Sequence, residues 1–391
     1  MAAYSSSLTV LLLLLHVTAM SMISMGVAGS YGQSHRYKAI YSFGDSLADT
    51  GNLYYDTEKL SASHASCLHL PYGETYFHRP TGRCSDGRLI VDFLAQKMGL
   101  PLLKPYLGIK NGKIKKDWKA REGVNFAVAG ATALNSSFFI ERGILNIATN
   151  YSLAVQLDWF KHFLPSICNS SSDCKKVLGS SLFLVGEIGG NDFNHPLFLR
   201  KSVEEIKAYI PFVINEISSA INKLIHLGAR TMIVPGNFPI GCNVIYLRIF
   251  NTTNMKEYDE AGCLKRLNEL AQDYNKKLRV EINRLQRLYP NTNIIYADYY
   301  HASLQLYQSP TQFGFTKSIL DSCCPLANAN YHNAPVKHCG EPGLISCNDP
   351  SQFITWDGVH LTEAAYKRIA KGLLKGSFTN PKIGISCDSD I

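Results

Sequence analysis

Apart from one short segment near the N-terminus, nothing in this 391-residue chain approaches the roughly 20 apolar residues that a membrane helix needs. No C-x-x-C pair occurs, which removes zinc-ribbon and thioredoxin-like readings. H-E-x-x-H, the P-loop and the dinucleotide-binding glycine pattern are also missing, and the histidines outside one C-terminal motif are scattered. The sequence therefore implies no metal and no cofactor. Charge is sparse too: DEKR residues make up 18% of the chain and the net charge is +8. The lysines are dispersed except for Lys110, Lys113, Lys115, Lys116 and Lys119, which read as a solvated basic loop. A nucleic-acid binder would concentrate such charge in a stripe interleaved with aromatics, and none is present. Internal repeats, low-complexity linkers and composition shifts are lacking as well, so one domain with long surface insertions is expected.

What is present begins with the N-terminus. Met1 to Gly29 carries no charged side chain and contains the run Val10 to Leu15, followed by the small-residue exit Val27-Ala28-Gly29. This pattern predicts a secretory signal peptide over 1–29, leaving a soluble mature chain that begins near Ser30. Four sequons, at Asn135, Asn150, Asn169 and Asn251, agree with a secretory route to the exterior, the cell wall or the vacuole. The 11 cysteines predict disulfides in an oxidising compartment, and their odd number leaves at least one thiol unpaired or intermolecular. Spacing does not fix the connectivity, and the oligomeric state is open.

Short unbroken apolar runs punctuate the chain at 39–43, 124–127, 182–188, 231–234 and 293–296, each followed closely by Gly, Asp or Asn. Runs without alternation suit strands buried on both faces of a parallel sheet. Helical stretches are expected at 89–98, 203–227, 255–288 and 362–374; in the second, Ile206, Ile210, Val213, Ile217, Ile221, Leu224 and Ile225 fall on one face. Strand-then-helix repetition predicts an α/β fold, a three-layer α/β/α sandwich. Its ligand site should lie at the carboxyl ends of the strands, where three of the turns would converge.

Ser46, in Phe43-Gly44-Asp45-Ser46-Leu47, directly follows the first strand. A hydroxyl on such a turn is presented at the sheet edge, with its own N–H available to a developing oxyanion. The α/β-hydrolase elbow is absent, because Ala48 stands at its last position. Near the other end, Trp356-Asp357-Gly358-Val359-His360 places a carboxylate three residues before a histidine. That pairing lets Asp357 orient the imidazole while His360 acts as a general base toward Ser46. Asn191, in Gly189-Gly190-Asn191, supplies an amide for an oxyanion hole, and Gly130 supplies a backbone N–H. Each residue also has an ordinary structural reading: a helix cap for Asp357, a first-turn histidine for His360, a turn asparagine and a tight-turn glycine.

Together these motifs resemble the plant GDSL esterase/lipase family, within the SGNH hydrolase group. The likeness runs from Tyr41 to about Pro381 and includes Pro71-Tyr72-Gly73-Glu74-Thr75, Arg79 to Leu89, Gly228-Ala229-Arg230 and Pro239-Ile240-Gly241-Cys242. It implies a flavodoxin-like central parallel sheet over 30–391, a nucleophilic Ser46 with Asp357 and His360, and an oxyanion hole of Ser46, Gly130 and Asn191. Ala129 stands where many relatives have another glycine. Within the family the blocks are similar to those of acetylajmalan esterase and sinapine esterase, which implies a small-molecule ester substrate such as an acetyl or other acyl ester of a specialised metabolite. Two rivals share these residues: an acyltransferase using the same acyl-enzyme, and a non-catalytic secreted glycoprotein that kept the fold.

Overall fold

The computed structural model describes residues 37–56, 66–114, 122–145, 147–318, 320–326, 337–341 and 343–383. The segment 1–29, Lys115, Lys116, Lys119 and Cys387 lie outside them. Seven strands form one sheet: β1 (Ile40–Phe43), β2 (Lys104–Pro105), β3 (Gly123–Asn125), β4 (Leu182–Val185), β5 (Thr231–Pro235), β6 (Asn293–Ala297) and β7 (Thr379–Asn380). Their order is β2-β3-β1-β4-β5-β6-β7, parallel throughout except for the antiparallel edge strand β7. The five apolar runs supply the middle of the sheet, and their order β3-β1-β4-β5-β6 is the flavodoxin-like one. The edge strands β2 and β7 have only two residues each and follow no apolar run, so no sequence pattern marks them.

Alternate residues of each strand face opposite layers. Tyr41 and Phe43 of β1, Phe183 and Val185 of β4, and Met232 and Val234 of β5 enter one core. Ile40, Leu182, Leu184 and Ile233 enter the other. The first core is covered by the longer helices α2 (Leu153–Phe163), α4 (Gly190–Phe198), α5 (Ile210–Leu227) and α6 (Lys265–Leu288), together with the end of α3 (Ser171–Gly179). The second is covered by α1 (Ile90–Lys97), α7 (Tyr299–Gln308) and α8 (Glu363–Leu374). Every central strand is thus buried on both faces, which explains runs that are apolar without alternation.

Two expected helices are shorter than their apolar patterns. The stretch 203–227 divides into Val203–Lys207 and α5, because Pro211 in the first turn of α5 has no N–H to continue the preceding helix. The stretch 255–288 opens with a single 3-10 turn, Met255–Glu257, and becomes an α-helix only at Lys265; between them the chain turns through Gly262 at φ 81° and is tied back by the Cys242–Cys263 disulfide.

Ten of the cysteines pair, as Cys67–Cys84, Cys168–Cys174, Cys242–Cys263, Cys323–Cys347 and Cys324–Cys339. Three of these pairs surround Leu53, Tyr72 and Trp356 in a small separate core. Asn135, Asn150, Asn169 and Asn251 are all exposed. No helix among the described residues is long and apolar enough to cross a membrane.

Candidate active site

The chain leaves β1 in one direction to β3 and returns past it to β4, so the order of the sheet reverses at β1. In an open parallel sheet such a reversal opens a crevice at the carboxyl ends of the strands. Ser46 sits there. Gly44 bends the chain out of β1 with φ 139°, and a Cβ on it would lie 2.8 Å from the carbonyl oxygen of Glu187. Gln156 of α2 grips this peptide on both sides: its Oε1 accepts from Gly44 N at 2.9 Å and its Nε2 donates to Gly44 O at 2.8 Å. Asp45 N donates to Glu187 O at 3.0 Å, joining the turns after β1 and β4.

Ser46, Asp357 and His360 meet across a separation of 314 residues. Ser46 Oγ lies 2.8 Å from His360 Nε2, and His360 Nδ1 lies 2.7 Å from Asp357 Oδ2. The other carboxylate oxygen, Asp357 Oδ1, accepts from the N–H groups of Val359 at 3.0 Å and His360 at 2.7 Å. These local bonds explain the three-residue spacing: the aspartate closes the turn that carries its own histidine. A fourth group extends the row, because the Tyr72 hydroxyl donates to Asp357 Oδ2 at 2.8 Å. Tyr72 is fully buried, with its ring edge-on to Trp356.

Burial opposes charge on both partners, and their proximity overcomes it. For His360, desolvation pushes the imidazole down, but the Asp357 charge and hydrogen bond, with a further contribution from Asp45, hold it above its ordinary value. For Asp357, burial pushes up, while His360 and the donated bonds hold the carboxyl below the usual range. A neutral imidazole with Nδ1–H directed at Asp357 leaves the Nε2 lone pair to accept the Ser46 proton.

The oxyanion candidates are arranged unequally. The Ser46 and Gly130 N–H groups donate to no acceptor among the described residues. Asn191 occupies the first turn of α4, where its Nδ2 donates to Ala131 O at 3.0 Å and to Asp45 Oδ2 at 3.2 Å, and its Oδ1 accepts from Asn194. Gly130, at φ 79°, is buried, and its carbonyl faces His195 Nε2 at 3.4 Å. Ser46, Asn191 and His360 line a cavity of about 500 Å³, whereas Gly130 is not among the residues of its wall. Much of that wall is apolar, including Phe198, Phe238, Ile240, Ile245, Leu326 and Val359. No cluster of His, Cys, Asp or Glu able to hold a metal occurs among the described residues.

The stretch from Arg79 to Leu89 is tied to the element that follows His360. Arg83 forms a buried bidentate pair with Asp92 at 2.8 Å, Asp86 Oδ1 accepts from Glu363 N at 2.7 Å, and Arg88 Nη2 pairs with Glu363 Oε1 at 2.6 Å. The start of α8, and with it the His360 turn, is held from the N-terminal half. Tyr72 and these tethers belong to stretches already conspicuous in the sequence, but no spacing rule connects them to Asp357.

A family model, GDSL-like Lipase/Acylhydrolase, matches residues 40–373. A GDSL esterase/lipase of Arabidopsis thaliana is 48% identical over 388 residues, covering 99% of this chain and 97% of its own. A second from the same plant is 50% identical over 371 residues, covering 94% and 89%. A sinapine esterase of Brassica napus is 48% identical over 363 residues, covering 92% and 91%. The likeness extends over both halves of the crevice, and the chain belongs to the GDSL lipase/acylhydrolase family of carboxylic ester hydrolases.

Proposed function

We propose that this ester hydrolase works through an acyl-enzyme on Ser46, and the observation that carries the proposal is the continuous row Ser46, His360, Asp357. His360 Nε2 takes the Ser46 proton as Oγ attacks the ester carbonyl, and Asp357 stabilises the imidazolium that forms. The carbonyl oxygen becomes an anion, answered by the N–H groups of Ser46 and Gly130 and by the Asn191 amide. As the tetrahedral intermediate collapses, the imidazolium gives its proton to the leaving alkoxide. Water then attacks the acyl carbon as His360 takes its proton, and collapse of that intermediate expels Ser46 Oγ, which regains the proton from His360 as the acid leaves.

The substrate class we infer is a small ester whose apolar portion fills the cavity, such as an acyl ester of a plant specialised metabolite. The cavity volume suits a ligand of that size, and the relative named sinapine esterase supports the subgroup. Met1 to Gly29 is read as a signal segment removed on secretion, ahead of a single hydrolase domain over 30–391. The buried disulfides and four exposed sequons support an extracellular or vacuolar route.

Purified protein offered acetyl, long-chain acyl and hydroxycinnamoyl esters tests the substrate reading. Turnover should favour the short or aromatic acyl groups and yield free acid even when an acceptor alcohol is present. Transfer of the acyl group to that alcohol as the main outcome would instead make the enzyme an acyltransferase.

A further inference from the structure

Behind the nucleophile lies a group of carboxyls that the reaction scheme leaves unused. Asp45 and Glu187 are both buried, and their side chains are hydrogen bonded to one another. Two carboxylates cannot share a hydrogen bond unless one carries the proton. Asp192, the next residue after Asn191, adds a third buried carboxyl. Asp192 accepts the N–H groups of Ala133 and Leu134 at 2.8 and 3.0 Å, which occupies both its oxygens.

The pair is connected to the oxyanion candidate. Asp45 Oδ1 accepts from Leu47 N at 3.0 Å, and Asp45 Oδ2 accepts from Asn191 Nδ2 at 3.2 Å. Both Nδ2 hydrogens of Asn191 are engaged, since the other bond goes to Ala131 O. For this amide to reach a substrate oxyanion, one of those bonds must yield. The longer one, to Asp45, is the one whose strength depends on how much negative charge Asp45 keeps.

Resting on the acyl-enzyme reading above, we propose that Glu187 remains a neutral acid whose O–H donates a hydrogen bond to Asp45, and that this makes it a positioning residue for Asn191. The donated hydrogen bond draws charge from Asp45 and fixes its carboxyl against the turn, so that Asn191 is aimed but weakly tethered. Several features of the surroundings favour a neutral Glu187. Burial comes first, followed by the charges of Asp45 and Asp192, and all raise its affinity for a proton; burial also pushes Asp45 up, but the bonds from Glu187 and Leu47 N–H and the charge of His360 limit it to about 6. Both carboxyls border the cavity beside Ser46, and a Cβ on Gly190 would lie 3.0 Å from Glu187 Oε1.

A double-mutant cycle on the full chain tests the proposal, with kcat and KM measured on whichever ester of the panel the wild type hydrolyses and thermal melts run on every variant. Glu187→Ala should lower kcat about 10²-fold with KM changed by no more than about threefold, the scale expected when a stabilising group is misplaced by about an ångström. Glu187→Gln, whose amide still donates to Asp45, should recover most of that loss. In an Asn191→Ala background, where there is no amide left to position, Glu187→Ala should cost less than about threefold more. Equal losses in the Gln and Ala variants, or full additivity with Asn191→Ala, would overturn the proposal while leaving the oxyanion reading standing. Wild-type kcat in Asn191→Ala would overturn the oxyanion reading, and this inference with it. Should Glu187→Ala fail to fold, the Gln variant alone and in the Asn191→Ala background decides: a loss near 10²-fold in Glu187→Gln contradicts a proton-donating Glu187.

Discussion

Tyr72 has no group that enters the proposed reaction, yet its hydroxyl shares Asp357 Oδ2 with the imidazole of His360. A hydrogen bond to a buried charge contributes about 1.5 to 3 kcal/mol, so Tyr72→Phe should lower stability by up to that amount without unfolding the protein. With one donor fewer, Asp357 holds the imidazolium more tightly, and the acid limb of the kcat/KM profile should move to higher pH. An unmoved limb would show that the hydroxyl does not act through Asp357. In the wild type the direction of the His360 shift places that limb above 6.5: activity requires the neutral imidazole, which is lost as pH falls through a pKa raised by Asp357. Asn191→Ala should cost on the order of 10² to 10³ in kcat, the usual consequence of removing one oxyanion donor. At this scale the sequence shows Ser46, Asp357, His360 and Asn191 through their turn chemistry. Tyr72 and Glu187 stay hidden because they reach the site by side chains from residues with no local signature.

The elements divide in the same way. Strands β1, β3, β4, β5 and β6 were legible because burial on both faces leaves each run mostly apolar. The edge pairs β2 and β7, two residues long, carry backbone hydrogen bonds without such a pattern. The longest helical pattern overran its helix because a periodic apolar face does not register the disulfide and glycine that turn the chain before Lys265. Disulfide pairing could not be read from spacing, since adjacent Cys323 and Cys324 reach different partners. Those two cysteines matter to the site: Cys323 N donates to Thr355 O and Cys324 N to Trp356 O, which fixes the strap that ends in Asp357. The Cys324–Cys339 bridge spans 15 residues, so replacing both cysteines by serine should destabilise the protein by about 3 kcal/mol. A thermal melt of that variant showing no loss would mean that the strap is held without the bridge.

Over the whole molecule, the proposed site is closed by residues 314 apart, with Ser46 following the first strand and His360 preceding the last long helix. Neither end has the row without the sheet and the tethers between Arg88 and Glu363. Ester turnover should therefore disappear in the same thermal transition as the protein core, and inactivation well below that transition would show that the His360 turn opens by itself. The four distant motifs can be read jointly because the sheet order β3-β1-β4 brings three of their turns to one crevice, a consequence of topology that a single motif does not convey. The central claim is the role of Ser46, and hydrolysis by Ser46→Ala alongside fluorophosphonate labelling tests it most directly. The account predicts one adduct per wild-type chain, located on Ser46, with neither adduct nor turnover in a variant that melts like the wild type. Turnover retained in Ser46→Ala would contradict it.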